Sequence, residues 1–260
     1  MKPFTHFLTP EGRGSVVEEG PWHYGIDYVS VYFRGDVDGL QKLLPAPLRV
    51  VDGTAAAYVS EFVSVSEKNP EALFLDPAQT IYHEAGIGVL CEYKDRRGVF
   101  YPFMWVDRDW ALIRGWLNGY PKKIADEIVM TRFHRFNRFA ENVREGVRLT
   151  GYCVRHGYRL LTVRLKINRR GTVDDVMKFG ATFGYRHFPT THEGQTSVSE
   201  LVEVIKTGSR VDDVWIGEGE VELGKSPSEE LELVKPLEVM YGIHYKAGFV
   251  IEGARVLERL

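Results

Sequence analysis

The sequence predicts a mainly β (α+β) fold in which antiparallel strands form a barrel or cone around an interior cavity, with a few flanking helices. Three observations lead there. Apolar and polar residues alternate with period two through much of the chain, the pattern of half-buried strands. Gly, Asp and Asn punctuate the alternating runs, as turns require. Helical periodicity is sparse, and strands in such excess must close or stack, because open sheet edges invite association. A closed set of strands leaves an interior suited to a small ligand.

The strand-like runs are Tyr28 to Phe33, Tyr58 to Val65, Gly86 to Tyr93, Val99 to Val106, Leu160 to Ile167 and Trp215 to Leu223. Asp36 to Leu44 reads as a helix with an acidic start, a Leu40, Leu43 and Leu44 face, and a stop at Pro45. Asp107 to Leu117 reads as a second, carrying Trp110, Ile113, Arg114 and Leu117 at helical spacing. Ser197 to Lys206 and Glu252 to Leu260 are two further helix expectations. No repeat, low-complexity stretch or linker divides the chain, so residues 1–260 are expected to form one domain.

Composition narrows the function classes. With 260 residues and 44% hydrophobic content, a sizeable core can form. The net charge of −3 provides no broad basic field, so no nucleic-acid partner is expected. Arg132, Arg135 and Arg138 interleave with Phe133, Phe136 and Phe139. Such interleaving can bind single strands, but here a solvated face beside a buried one is expected. No stretch approaches the roughly 20 apolar residues of a membrane span, and Met1 to His6 leads into no apolar run. Two distant cysteines, Cys91 and Cys153, form no paired motif and fit reduced thiols of a cytoplasmic protein. The scattered histidines, including His187 and His192, match no zinc spacing, so no metal site is expected. Gly86-Ile87-Gly88 and Gly217-Glu218-Gly219 lack the third glycine of a nucleotide-binding turn.

Two segments carry candidate chemistry. In Gly119-Tyr120-Pro121-Lys122-Lys123, Pro121 fixes its own backbone angle and pushes Tyr120 towards extended geometry. The result is a defined turn after the second helix that presents two lysines. Composition alone favours a loop with two solvated lysines, because lysines are seldom fully buried. Consecutive residues on an extended segment point oppositely, so only one of the pair can face inward. Glu84, in Tyr82-His83-Glu84-Ala85-Gly86, is either a loop carboxylate or a charged group at a cavity mouth.

With these residues in place, the chain resembles the acetoacetate decarboxylase family over nearly its whole length. The Tyr-Pro-Lys-Lys signature appears as Tyr120 to Lys123. Gly20-Pro21-Trp22 and the strand to Arg34-Gly35-Asp36 resemble the family's opening, and Leu40 to Leu48 ends in a Leu-Pro-x-Pro-Leu pattern. Glu84-Ala85-Gly86 and Val214-Trp215-Ile216-Gly217 resemble further family segments. The resemblance implies a Schiff base on Lys122, with Lys123 its cationic neighbour, Glu84 an active-site carboxylate, no cofactor, and a homo-oligomer. An amine must be uncharged to attack a carbonyl, and burial disfavours an ammonium. The family's arginine in the strand after Gly-Pro has no counterpart in His23 to Tyr28.

The function expected first is decarboxylation of a small β-keto acid such as acetoacetate, by a lyase whose catalytic residues are Lys122 and Glu84. Lys123, Tyr120, Tyr82 and Tyr245 are expected to touch substrate, and Tyr241 and His244 are further donors to a carboxylate. The alternative is an aldolase or dehydratase acting on pyruvate or a related keto acid through the same lysine. A third reading is a non-catalytic module that binds a small metabolite.

Overall fold

The computed structural model describes residues 4–195 and 197–260; Met1 to Pro3, which open the N-terminal segment, lie outside the described residues. Eleven strands form one sheet: β1 (Trp22–Gly35), β2 (Arg49–Ser66), β3 (Ile81–Tyr93), β4 (Arg96–Val106), β5 (Lys122–Ile124), β6 (Glu127–Met130), β7 (Arg148–Arg155), β8 (Tyr158–Arg170), β9 (Ala181–Phe188), β10 (Val198–Leu223) and β11 (Pro236–Arg259). Among the described residues three α-helices accompany them: α1 (Val37–Lys42), α2 (Ala72–Leu75) and α3 (Asp109–Asn118).

The order β11-β1-β2-β3-β4-β9-β10 closes on itself, because β10 also pairs with β11. The second half of β10 leaves that ring to pair with β8, which continues through β7 to β6. The expected closed, mainly antiparallel β architecture is therefore present. Two pairings depart from it, since β4 runs parallel to both β9 and β5.

Each expected strand lies within a longer one, and both stronger helix expectations hold. Asp36 caps α1 by accepting a hydrogen bond from Gly39 N at 2.9 Å. Two helix expectations are overturned. Ser197 to Lys206 is the start of β10, and Glu252 to Leu260 is the end of β11. The two segments pair with each other, from Glu200↔Arg259 to Ile205↔Gly253. Leu201 to Val204 is buried without interruption, the charged Glu203 included, so burial here does not follow the alternation that marks a half-buried strand. Cross-strand pairing then outweighs the helix propensity of the final residues.

The ring strands are buried on both faces, and period two sorts their side chains. Val29, Val31, Ala57, Val59, Ala85 and Ile87 enter the main core beneath β7 and β8. Ile26, Phe62, Tyr82 and Met104, on the opposite face, form a second cluster under α3 with Trp110 and Ala111. The arginine–phenylalanine segment is a correction in part. Phe133 packs on the core, but Phe136 and Phe139 are exposed, because residues 131–147 form turns rather than a strand or helix with two faces. Each exposed ring is instead covered by its neighbour, Arg135 over Phe136 and Arg138 over Phe139.

Ile87, fully buried between sheet layers, should cost about 2–5 kcal/mol when replaced by alanine. Phe136→Ala should stay within about 0.5 kcal/mol. Urea unfolding midpoints check both; equal costs would contradict this division between core and surface.

Candidate active site

Beneath α3 the second cluster encloses a cavity of about 40 Å³, room for about three waters. Register brings its key groups together. Lys122 on β5 pairs with Met104 on β4, Met104 with Gly86 on β3, and Gly86 with Tyr58 on β2. Glu84 lies two residues from Gly86 and therefore on the same face. The Lys122 Nζ is 2.7 Å from Glu84 Oε2, a charge contact without the alignment of a directed hydrogen bond. Tyr58 donates its hydroxyl to Glu84 Oε1 at 2.8 Å. Both carboxylate oxygens are thus engaged.

Local structure explains the placement of Lys122. Gly119 ends α3 with φ +87°, a left-handed conformation that favours glycine. Tyr120 N then donates to Gly115 O at 2.9 Å, turning the chain. Trp116 Nε1 donates to the Lys122 carbonyl at 2.8 Å and fixes the start of β5. Gly115 leaves room for the lysine to pass, since a Cβ there would sit 2.4 Å from Lys122 Cδ. The ammonium lies 5.1 Å from the Tyr82 ring centroid and 5.8 Å from that of Tyr120. Only 7% of Lys122 is exposed.

Lys123 goes the other way. It pairs with Trp105 on β4, and its Nζ reaches Glu229 Oε2 at 2.7 Å. Glu229 is buried and also accepts from Trp105 Nε1 at 3.2 Å. Of the other expected substrate contacts, Tyr82 and Tyr120 line the cavity. Tyr245 does not. It is the cross-strand partner of Tyr28 and stacks on that ring at 4.8 Å, beside the cavity wall. His244 donates through Nδ1 to the Tyr28 carbonyl at 2.7 Å, and Tyr241 donates to Asp175 O, so neither reaches the site.

Two cavity cations were not singled out from sequence. Arg114 on α3 is 5% exposed. It donates to Ser64 Oγ at 2.6 Å and lies against Trp110 at 4.8 Å and Trp22 at 5.4 Å. Its Nε has no partner, and no carboxylate pairs with it among the described residues. The signal was an arginine on the buried stripe Trp110, Ala111, Arg114, Gly115, Asn118; the sequence grouped Arg114 with Trp110, Ile113 and Leu117 at helical spacing but gave it no part in a site. Lys206 on β10 is the second. It follows Val202 and Val204 at period two, an alternation that the helix reading of this segment concealed.

The electrostatics are those of neutral phenols around charged groups. Burial first, then Glu84, holds the Tyr58 hydroxyl well above its ordinary range, and burial does the same for Tyr28, Tyr82 and Tyr120. These residues remain protonated donors. Burial pushes Lys206 down to about 8; Glu84 opposes that shift and Lys122 adds to it. Among the described residues no three His, Cys, Asp or Glu side chains converge as a metal set would.

A buried lysine facing a carboxylate inside a closed β sheet is the geometry against which the comparisons with known proteins are set. The acetoacetate decarboxylase family profile matches residues 6–260, and the chain belongs to that family. A solved acetoacetate decarboxylase-like enzyme from Sphingomonas wittichii RW1 is 46% identical, with a TM-score of 0.95, covering 99% of this chain and 100% of that one. The enduracididine biosynthesis enzyme MppR, solved with pyruvate, shares the fold at 24% identity and a TM-score of 0.86, covering 98% and 97%. Acetoacetate decarboxylase from Legionella pneumophila does so at 18% identity and 0.76, covering 92% and 88%. No curated protein sequence matches the chain.

Competitive labelling with an amine-reactive ester should show Lys206 titrating near pH 8. Lys122→Met removes a positive neighbour and should raise that midpoint, whereas Glu84→Gln should lower it. A midpoint near about 10 in the unmodified protein would show a fully solvated lysine.

Proposed function

We propose that the protein is a Schiff-base lyase of small keto acids, with Lys122 as the nucleophile and Arg114 as the group that holds the substrate carboxylate. One observation carries the reading. Lys122 and Glu84 meet at 2.7 Å in a cavity that also holds a buried guanidinium with no carboxylate partner among the described residues. A charge left unpaired in such a place costs several kcal/mol, and a substrate carboxylate removes that cost through a charge-assisted contact.

The chemistry follows from the positions. Glu84 receives the proton that Lys122 gives up, and the freed amine attacks the keto carbon. The carbinolamine loses water to form an iminium, which withdraws electrons from the adjacent carbon. A C–H proton leaves that carbon to give an enamine, or a carboxylate there leaves as CO₂. Tyr58, hydrogen-bonded to Glu84 and kept protonated by burial, is placed to return a proton.

Arg114 bears on which bond breaks. In decarboxylation the carboxylate loses its negative charge, so a cation gripping it stabilises the ground state more than the transition state. In aldol addition or dehydration the carboxylate survives and the grip is kept throughout. The sequence places decarboxylation first; the cation favours aldol or dehydration chemistry on a 2-keto acid such as pyruvate. MppR, of the same fold, has been solved with pyruvate and with its condensation product with an aldehyde.

Cyanoborohydride with pyruvate should leave a carboxyethyl group on Lys122, located by mass spectrometry of a digest and absent from Lys122→Ala. Glu84→Gln should slow trapping by about 10²-fold. Labelling of Lys123 that survives Lys122→Ala would remove the assignment. For the reaction type, Arg114→Met should raise the half-saturating pyruvate concentration about tenfold or more. Aldehyde condensation should exceed CO₂ release from acetoacetate; the opposite ranking would restore the decarboxylase.

A further inference from the structure

The residues lining the cavity include three cations, Arg114, Lys122 and Lys206, and one carboxylate, Glu84. The surrounding tyrosines are neutral, since burial holds their hydroxyls protonated. Glu84 is fully committed, one oxygen to Tyr58 and the other to Lys122. Converting Lys122 to an iminium leaves its positive charge in place. The cavity therefore keeps a surplus of two positive charges before and after substrate is attached. They reside on Arg114 and Lys206.

Lys206 is aimed inward by the same alternation that buries Val202 and Val204. The β10–β11 register shifts between Ile205 and Lys206, so that Lys206 pairs with Ile251 and Glu252 is left over. Such a bulge re-aims the side chains beside it. Glu252 turns to Thr207, accepting its hydroxyl at 2.7 Å, and does not neutralise Lys206. The ammonium instead rests over Phe249, 4.9 Å from the ring centroid, and forms no ion pair with any described residue. An aromatic face is a weak partner for an ammonium compared with a carboxylate.

We propose that Lys206 is the cavity's second anion-binding group and that the substrate is a short keto acid bearing a second carboxylate. This rests on the Schiff-base reading of Lys122: the keto carbon is fixed at Lys122, one carboxylate at Arg114 and the other at Lys206. A dianion neutralises the surplus that a monocarboxylate leaves half unpaired. The void is small, so the diacids to try are short, of four to six carbons, and binding one requires the partly buried Lys206 side chain to give way. Lys206 is thus a specificity-determining residue, and it discriminates through charge rather than shape.

The test compares diacids with monoacids of equal chain length: oxaloacetate, 2-oxoglutarate and 2-oxoadipate against 2-oxobutanoate, 2-oxopentanoate and 2-oxohexanoate. The readout is the concentration giving half-maximal cyanoborohydride trapping on Lys122, followed by mass spectrometry. At least one diacid should trap at a concentration about tenfold or more below its matched monoacid. That ratio should fall towards one in Lys206→Met and persist in Lys206→Arg. Equal trapping of diacids and monoacids in the unmodified protein, or a diacid preference that survives Lys206→Met, overturns the assignment and leaves the Schiff base intact. Failure of every keto acid to label Lys122 overturns both readings together.

Discussion

The pairing of the three-residue strand β5 with β4 is the constraint on which the rest of the site depends. Met104 lies opposite Lys122 and Trp105 opposite Lys123. Met104 belongs to the cluster around the cavity and Trp105 to the main core. A slip of one residue would exchange the two lysines. Several interactions hold the register. The Gly119 cap and the Tyr120–Gly115 hydrogen bond fix where the strand begins, and the Trp116 indole holds the Lys122 carbonyl. Glu229 holds Lys123 from the far side, and Arg155 adds a second cation 3.6 Å from that carboxylate. A buried carboxylate left without Lys123 would be costly, so the energetic demand of Glu229 helps to decide which lysine faces the cavity.

The neighbourhood of Lys122 then follows from the fold around it. Four adjacent strands present one residue each in a row, Tyr58, Gly86, Met104 and Lys122. At the second position the absence of a side chain matters. A Cβ on Gly86 would lie 2.8 Å from the Tyr58 hydroxyl, so glycine there lets Tyr58 lean across to Glu84. The helix above contributes Gly115, which clears a slot for the lysine, and Arg114, which brings charge. Closure of the ring from β11 through β10 encloses these groups in a low-dielectric space, where each unpaired charge carries more weight than it would in water.

Much of this was legible in the sequence, for reasons that can be traced. The strand periods of Tyr28 to Phe33 and Tyr58 to Val65 survive because each strand has two chemically distinct faces. The opposition of Lys122 and Lys123 follows from the same period. Arg114 was seen as a helical residue but not as a cavity group, because the stripe on α3 includes the small or polar residues Ala111, Gly115 and Asn118, which apolar spacing does not register. Lys206 was hidden because Leu201 to Val204 is buried on both faces, with Glu203 among the buried residues, so the alternation that aims it surfaces only once β10 is paired. Glu229 was unreadable for another reason. It lies 106 residues from Lys123, and no local pattern marks a partner at that separation. Tyr245 was a reasonable donor from its chemistry, but cross-strand pairing sets it beside Tyr28 rather than in the wall.

The most direct test of the account is a crystal structure of the protein after cyanoborohydride reduction in the presence of pyruvate. The register requires continuous density from Lys122 Nζ, with the ligand carboxylate within hydrogen-bonding distance of the Arg114 guanidinium and Lys123 still on Glu229. An adduct on Lys123, or a carboxylate turned away from Arg114, would contradict it.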